Sequence, residues 1–208
     1  MRPSTGVGNA VTLTRLPQNQ GGETLYPDSW SPDGRLLLIE KVDVGSRDHA
    51  ALWLLPVHGD GKLQPFLSSN FNASHGAFSP DGRWVAYSSD ETGRPEVYVQ
   101  DFGRTKKVQI STAGGDQASW SRNGRELFYI SADHNLMVVE IEAHSGDLKA
   151  SPPRALFYAP IRSEGIAGSR INYAVSADGE RILLNELQQG NQPTAHTVVV
   201  NWTTELKE

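Results

Sequence analysis

The chain has 208 residues, of which 38% are hydrophobic and 21% charged, and it contains 20 glycines and 12 prolines. This composition is typical of a globular protein with many turns, and it excludes collagen-like and intrinsically disordered classes. A formal net charge of −5 argues against a nucleic-acid-binding surface, and the absence of cysteine excludes disulfides and thiolate metal sites.

The first predicted strand covers residues 10–16, where apolar and polar residues alternate within an N-terminal segment, residues 1–22. Beyond it, one tetrapeptide recurs. Ser31–Gly34 and Ser79–Gly82 both read Ser-Pro-Asp-Gly, and Ser121–Gly124 and Ser176–Gly179 are weaker copies. Proline favours the second position of a turn, Asp or Asn can hydrogen-bond its own backbone, and Gly supplies a positive φ. The predicted structural turn residues are therefore Asp33, Gly34, Asp81, Gly82, Asn123, Gly124, Asp178 and Gly179.

The four turns recur at intervals of 42 to 55 residues, and no helical periodicity lies between them. Blades of a β-propeller contain four antiparallel strands and repeat every ~40–50 residues. The sequence therefore predicts an all-β fold, a propeller with four recognisable blades at about 23–68, 70–111, 114–158 and 168–202, followed by a tail at 203–208. The predicted strands of the first blade are 25–30, 35–42, 50–57 and 62–67, and those of the second are 77–78, 84–88, 96–100 and 107–110. Those of the third are 118–120, 126–130, 136–141 and 155–157, and those of the fourth are 171–175, 181–185 and 197–202.

The fourth blade supplies only three predicted strands. Residues 10–16 are the candidate for the missing strand, which would close a small four-bladed ring and remove its unpaired edge. The alternative is that the four blades are an arc of a larger ring.

Aromatic and polar residues near the turns predict how the blades pack. Trp30, Phe78 and Trp120 precede three turns at equivalent places and are expected to pack between adjacent blades. The first strands, which line the axis, contain mainly Ser, Ala, Gly and aromatic residues, so no cluster of titratable groups is expected there. The histidines are predicted to lie on the surface or in turns: His49, His58, His75, His134, His144 and His196.

The motifs of common enzymes are incomplete or absent in this sequence. Asp101-Phe102-Gly103 matches the magnesium-binding triplet of protein kinases, but the strand lysine and the catalytic loop are missing. The sequence contains no Gly-x-Ser-x-Gly element, and no α/β half follows the propeller. The chain is therefore predicted not to be an enzyme.

Several segments resemble one known family. They are Ser89–Gln100, Gln109–Gly115, Trp120–Tyr129, Pro153–Phe157 and Thr197–Trp202. Together they resemble the TolB-like propeller found C-terminal to bacterial membrane-anchored serine/threonine protein kinases and to winged-helix regulators. The resemblance is specific from about residue 70 onwards. It implies a six-bladed ring, of which about two blades are absent here, and a non-catalytic sensory or scaffolding role beside a signalling domain.

Polar loops are the candidate binding surface, because propellers commonly bind partners at the loops and at the mouth of the channel. The loops are 43–48, 90–94 and 131–135, and the residues proposed for binding are Asp90, Glu91, Arg94, Asp133 and Asn135. The side-chain oxygen atoms of Asp90, Glu91, Asp133 and Asn135 could also hold Ca²⁺, although the spacing of a known calcium loop is missing and no cofactor is otherwise expected.

The predicted function is therefore a binding or sensor module with a protein or peptide partner and no nucleic acid, capable of self-association if the ring is incomplete. The alternative is a propeller enzyme, or the accessory propeller of a prolyl-oligopeptidase-type hydrolase. No run approaches the ~18 apolar residues of a membrane span, and residues 1–9 lack the apolar core of a secretory signal, so no direct membrane insertion is expected. If the parent protein is a membrane-anchored kinase, the resemblance implies an extracytoplasmic location.

Overall fold

The computed structural model describes residues 12–14, 22–43, 49–67, 69–144, 146–161, 171–185 and 196–200. Every regular element in these ranges is a β-strand, and the strands form four antiparallel sheets. The structure thus confirms the prediction of an all-β fold built from propeller blades. No helix that could cross a membrane occurs in the part of the chain that the structure describes.

The sheets follow one another along the chain, and each is a simple meander. Blade 1 contains β1 (Glu23–Trp30), β2 (Leu36–Asp43), β3 (His49–Pro56) and β4 (Gln64–Leu67). Blade 2 contains β5 (Ala73–Phe78), β6 (Trp84–Ser89), β7 (Glu96–Asp101) and β8 (Lys107–Gln109). Blade 3 contains β9 (Gly115–Trp120), β10 (Glu126–Ser131), β11 (Asn135–His144), β12 (Asp147–Ala150) and β13 (Arg154–Tyr158). Blade 4 contains β14 (Tyr173–Val175), β15 (Arg181–Asn185) and β16 (His196–Val200).

Blade 3 differs from the prediction in its outer edge, where two short strands pair with β11. β13 pairs with the first half of β11, from Asn135 to Val138, and β12 pairs with the second half, from Ile141 to His144. The sequence predicts only the strand at 155–157. The additional β12 forms because β11 continues beyond the rest of its blade and folds back through a tight turn at Gly146, whose φ is +86°.

The predicted N-terminal strand is not present in its described part, residues 12–14, which carry no strand and lie against blade 1. The Thr14 Oγ1 atom donates a hydrogen bond to the Gly61 carbonyl oxygen at 2.8 Å. Leu13 packs on an apolar cluster formed by Leu37, Ile39, Leu55 and Val57. These residues therefore cover a face of blade 1, and the rest of the predicted strand lies outside the described residues.

Apolar side chains stack the blades face to face, because alternate residues of each strand point to opposite faces of its sheet. Leu38 and Leu52 of blade 1 pack against Val85 and Tyr98 of blade 2. Blades 2 and 3 share a cluster that includes Trp84, Val97, Leu127, Tyr129 and Val139. Blades 3 and 4 share one formed by Phe128, Ile130, Leu136, Val138, Tyr173, Ile182 and Leu184.

Two of the three equivalent aromatic residues lie between blades as predicted. Phe78 packs in the cluster between blades 1 and 2, and Trp120 Nε1 donates a hydrogen bond to the Ala77 carbonyl oxygen of blade 2 at 3.2 Å. Each therefore contacts the blade before its own. Trp30 is 48% exposed, and the prediction of inter-blade packing is wrong for it because its blade is the first described one.

The Ser-Pro-Asp-Gly turns and their weaker copies share one hydrogen-bond pattern, which the second copy illustrates. Ser79 Oγ donates to Asp81 Oδ1 at 2.6 Å and accepts the backbone N–H of Trp84 at 3.0 Å. The Gly82 N–H donates to the Ser79 carbonyl oxygen at 2.8 Å, and Gly82 has a φ of +70°. The same set of bonds is made at the turns that begin at Ser31, Ser121 and Ser176. A β-carbon on Gly82 would lie 3.2 Å from Pro32 Cδ, so turns of neighbouring blades touch.

These turns distinguish the two ends of the blades. The turn end carries the four Ser-x-Asp/Asn-Gly turns. The loop end carries the β6–β7 and β10–β11 loops, which join the second and third strands of blades 2 and 3, since successive connections of a meander lie at opposite ends of its sheet.

Candidate functional site

The loop of blade 2 contains three of the residues proposed for binding, and Asp90 anchors it to blade 1. The Asp90 carboxylate accepts the backbone N–H of Asn72 and one of its side-chain N–H groups, each at 2.8 Å. The Asn72 Oδ1 atom in turn accepts the backbone N–H of Ala50 at 2.9 Å. Asp90 therefore orients Asn72, which links blade 2 to blade 1 at the loop end.

Glu91 and Arg94 also have protein partners. Both Glu91 oxygens accept hydrogen bonds from Lys107 Nζ, at 2.6 and 2.7 Å, and that ammonium lies 5.1 Å from the centre of the Tyr98 ring. Arg94 Nε donates to Glu96 Oε1 at 2.8 Å, and its Nη2 donates to the Thr112 carbonyl oxygen. The loop is thus fixed within blade 2, while the Arg94 side chain is 57% exposed and keeps its outer face in solvent.

Glu96 holds the base of this loop and is itself almost completely buried. Its carboxylate accepts hydrogen bonds from Arg94, from the Ser111 hydroxyl and from the Gly114 N–H. Because a buried carboxylate needs such partners, the connection from blade 2 to blade 3 is held close to Arg94.

Asp133 and Asn135 belong to a turn that copies the structural turns of the other end. Ser131 Oγ donates to Asp133 Oδ1 and accepts the Asn135 N–H at 3.1 Å, and the Asn135 Nδ2 atom donates to Asp133 Oδ2 at 2.8 Å. His134 takes the place of the glycine, with a φ of +61°. Hydrogen bonds from Ser131 and from its own turn lower the pKa of Asp133.

A small cavity of about 110 Å³ joins part of this surface to the inner strands. Arg94 lines it from blade 2, Ser131 and Ala132 line it from blade 3, and Asp116 and Gln117 form its inner wall. Asp90, Glu91, Asp133 and Asn135 do not line it, and residues 44–48 lie outside the described part of the chain. Gly114 allows the close approach of these walls, since a β-carbon there would lie 2.6 Å from that of Ala132.

The inner wall of this cavity belongs to a buried polar network that crosses three blades. His75 Nδ1 of blade 2 lies 2.8 Å from Asp116 Oδ1 of blade 3, and the backbone N–H of His75 donates to Glu40 Oε2 of blade 1 at 3.3 Å. The Gly76 N–H donates to Asp28 Oδ2 of blade 1 at 2.9 Å. Three carboxylates and one imidazole therefore meet near the axis.

The network continues from blade 3 to blade 4 through Gln117. Its side-chain Oε1 accepts the Asn172 N–H at 2.7 Å, and its backbone carbonyl accepts the Tyr173 hydroxyl at 2.7 Å. Gln117 has a φ of +57° and His75 has a φ of +53°, and each lies where the pairing of its inner strand shifts register. These bulges turn the backbone so that polar groups point towards neighbouring blades.

Burial and close charges shift the pKa values in this network. Burial alone would lower the pKa of His75, but the hydrogen bond and charge of Asp116, with the charges of Glu40 and Asp28, raise it to about 9. Burial disfavours the charged form of Asp116, but His75 keeps its pKa below the usual value. Burial and the charge of Glu40 raise the pKa of Asp28 to about 7. His75 and Asp116 therefore form an ion pair at neutral pH.

This geometry does not form a hydrolytic triad from His75, Asp116 and Ser74. A triad places the nucleophile and the carboxylate on different nitrogens of the imidazole. Here the Ser74 hydroxyl, at 3.4 Å, and Asp116 both lie at Nδ1. Among the described residues no group of three His, Cys, Asp or Glu side chains has an arrangement that could hold a metal ion.

This network was not predicted from the sequence, and two expectations are wrong because of it. Titratable groups do cluster on the inner strands, and His75 is buried in β5 rather than placed on the surface or in a turn. The missed signal is positional: His75, Gln117 and Asn172 all occur four residues before the serine of their blade's turn. A polar residue repeated at one position of an otherwise apolar or small-residue strand indicates a partner on the neighbouring blade.

The kinase-like triplet Asp101-Phe102-Gly103 has a structural role in packing blade 2 against blade 1. The Phe102 ring lies 6.0 Å from that of Phe66 in blade 1 and 5.8 Å from that of Phe78. Asp101 accepts backbone N–H groups of its own turn, including that of Thr105 at 2.7 Å. The triplet thus closes the β7–β8 turn and packs it on blade 1.

Known proteins with similar sequences or structures contain propellers. No protein-family model matches the sequence. The chain is 32% identical to the Tol-Pal system protein TolB of Alcanivorax borkumensis over 69 residues, which are 32% of this chain and 16% of that protein. TolB from Acinetobacter baumannii has a similar structure, with a TM-score of 0.56 and 17% identity over 86% of this chain and 44% of the other.

Propellers of enzymes are similar as well. An oligogalacturonate lyase in complex with manganese has a TM-score of 0.63 and 14% identity over 93% of this chain and 54% of the lyase. A puromycin-hydrolysing peptidase of Mycobacterium tuberculosis has a TM-score of 0.58 and 19% identity over 83% of this chain and 29% of the peptidase. The chain spans 54% or less of each of these proteins. At this level of identity the solved structures establish the fold: the chain is built of antiparallel β-propeller blades similar to those of TolB.

Proposed function

We propose that this chain is a non-catalytic propeller module that binds a protein or peptide partner at its loop end. The observation that carries the proposal is the convergence of Arg94, Ser131 and Ala132 with the inner residues Asp116 and Gln117 around one cavity. Arg94 offers exposed N–H donors beside this cavity, and arginine is enriched at protein interfaces.

The loop of blade 2 beside the cavity is held rigidly by contacts to both neighbouring blades. Asp90 ties it to blade 1 through Asn72, and Glu96 ties it to the start of blade 3. A surface that is ordered before binding loses less conformational entropy on association, which favours recognition of a folded partner or an extended peptide.

We further infer that this module belongs to a signalling protein. The resemblance to propellers that follow membrane-anchored kinases and winged-helix regulators supports a sensory role for a domain of this kind. Within such a parent kinase the propeller would lie outside the cytoplasm and would transmit partner binding to the output domain.

An accessory role in a hydrolase is the second candidate, supported by the similarity to the puromycin-hydrolysing peptidase, of which this chain covers 29%. Both candidates assign this chain a binding role and no chemistry of its own. An assay of this chain against peptide substrates distinguishes an enzymatic function, because reproducible turnover by the purified wild-type chain would contradict a non-catalytic module.

The binding proposal is tested with a double variant of the loop end, Glu91→Ala with Arg94→Ala. A partner isolated by affinity capture is purified, and its binding is measured by calorimetry against wild-type and variant protein. We expect at least a tenfold loss of affinity, about 1.4 kcal/mol. The matched control, Arg122→Ala with Glu180→Ala, removes one positive and one negative exposed residue from the turn end and should bind as wild type does. Unchanged affinity in the loop-end variant, or an equal loss in the control, would contradict the proposal.

A further inference from the structure

A second groove lies between blades 2 and 3 at the turn end, away from the loop-end surface. It has a volume of about 920 Å³, within the range of ~300–1,000 Å³ that ligand sites occupy. Pro80 and Gly124 approach each other at its inner end, where a β-carbon on Gly124 would lie 3.5 Å from Pro80 Cδ. Lys106 Nζ of blade 2 binds Asp147 and the Gly146 carbonyl oxygen of blade 3, a second contact between the two blades that form the groove.

Comparison of the repeats shows why this groove is open. After three of the turns, one backbone N–H in or directly after the third strand donates to the carbonyl oxygen of the arginine that follows the turn glycine: Val57 to Arg35, Phe102 to Arg83, and Ile141 to Arg125. Phe102 and Ile141 are thus equivalent residues. The Phe102 ring packs on Phe66 and Phe78 between blades 1 and 2. The smaller Ile141 leaves space between blades 2 and 3.

Trp120, Ile141 and Ala143 form the apolar part of the groove lining, because strand alternation directs Ile141 and Ala143 towards blade 2, where both pack in the cluster that contains Trp84 and Trp120. Glu126, Glu140 and Glu142 also line the groove, and the same alternation directs their side chains to the other face of blade 3. Glu126 confirms this direction, since a β-carbon on Gly179 of blade 4 would lie 3.9 Å from Glu126 Oε2.

Two arginines lie on the groove side, and they differ in their partners. Arg83 Nε donates to Asp81 Oδ2 at 2.7 Å, so the charges of that pair are balanced. The exposed Arg125 makes no ion pair and no side-chain hydrogen bond with any residue that the structure describes. Its guanidinium is therefore available to a ligand, and guanidinium groups bind carboxylates with two parallel hydrogen bonds.

We propose that this groove binds a peptide segment that places a large apolar or aromatic side chain between blades 2 and 3, as Phe102 lies between blades 1 and 2, with an adjacent carboxylate on Arg125. The side chain would contact Trp120, Ile141 and Ala143. This site is at the opposite end of the blades from the loop-end surface and does not depend on the function proposed for that surface.

The test uses peptides selected from a phage-displayed library of random heptapeptides on the immobilised full chain. The selected peptides are synthesised, and their affinities for wild-type and variant proteins are measured by calorimetry. We expect the selected sequences to share an aromatic or long aliphatic residue next to Asp or Glu. Arg125→Ala should weaken binding at least tenfold, Arg125→Lys should restore it only in part, and Arg122→Ala, an exposed arginine of the same turn that does not line the groove, should leave it unchanged.

A second variant, Ala143→Phe, fills the groove with a ring in the way that Phe102 fills its own inter-blade space. It should abolish binding while the melting temperature stays within a few degrees of wild type. Should the variant fail to fold, the arginine series still decides the proposal. Selected peptides without an acidic residue, or peptides whose affinity is unchanged by Arg125→Ala, would overturn it.

Discussion

The ion pair between His75 and Asp116 connects blades 2 and 3 near the axis, and His75→Asn is the variant that tests its contribution most clearly. Asparagine tolerates the positive φ of 53° at this position and removes the charge. The variant leaves the Asp116 carboxylate buried without its cationic partner. Removing one member of a buried pair destabilises proteins by ~3–5 kcal/mol, and we expect a loss in this range at pH 6.

The raised pKa of His75 gives a second value for the free energy by which this interaction stabilises the fold. The folded protein keeps the proton up to about pH 9, whereas an unfolded chain releases it near 6.5. The folded state therefore binds more protons between these values, and the free energy of unfolding falls as pH rises from 6.5 to 9. At ~1.36 kcal/mol per pKa unit, the fall is on the order of 3 kcal/mol. This contribution is fully present below pH 6.5.

The assay is urea unfolding at pH 6.0 and pH 9.5, followed by tryptophan fluorescence and by circular dichroism to check that both probes give one transition. The difference between wild type and His75→Asn should be large at pH 6.0 and much smaller at pH 9.5. The matched control is His134→Asn, which changes the other histidine of positive φ, in the β10–β11 turn. It should alter the free energy of unfolding by less than about 0.5 kcal/mol at both pH values.

Two results would refute this reasoning. One is a wild-type free energy of unfolding that does not change between pH 6.5 and 9.5. The other is a loss in His75→Asn that is equal at pH 6.0 and 9.5, because the missing contact would then be independent of the imidazole charge.

Three further predictions concern stability and are measured by the same urea titrations. Gly82→Ala should lower the free energy of unfolding by ~1–2 kcal/mol, which is more than the loss expected for Gly34→Ala. Both glycines have a φ of +70°, but only at Gly82 does the new β-carbon approach Pro32. Equal losses in the two variants would contradict that contact. Asp28→Asn should stabilise the protein by ~1–2 kcal/mol at pH 8 and much less at pH 4. The reason is that the pKa of about 7 in the folded state makes ionisation of this half-buried carboxyl unfavourable at pH 8. No gain at pH 8 would argue against its burial beside Glu40. His134→Gly should stabilise by up to ~1 kcal/mol by removing the strain of its φ of +61°, and a loss of stability would show that the imidazole has a favourable contact.

The repeats made the fold predictable, because its signal is local. The turn glycines, the turn aspartates and the alternation in the flanking strands lie within about ten residues of one another, and these determine each hairpin. β12 was not predictable in the same way. Its formation depends on how far β11 continues beyond its blade, and Asp147–Ala150 has no turn signal of the repeated kind.

The candidate site was predictable only in part, because its connections join residues distant in sequence. The loop residues Asp90 and Arg94 were identified from their polarity, but their partners Asn72 and Thr112 become neighbours only when blades stack. The His75–Asp116 contact spans 41 residues and depends on register shifts in two inner strands, which no local pattern reveals. Whether the loop residues contact a partner remains a prediction for experiment.

We propose the loop end, where Arg94 and Ser131 meet the inner residues of blade 3, as the surface that binds a partner. Hydrogen–deuterium exchange of the propeller with and without the purified partner tests it directly. We predict that the amides of residues 90–95 and 131–135 become protected on binding, while those of the four Ser-x-Asp/Asn-Gly turns exchange as before. Protection confined to the turn end, or unchanged exchange throughout residues 90–135, would contradict the claim.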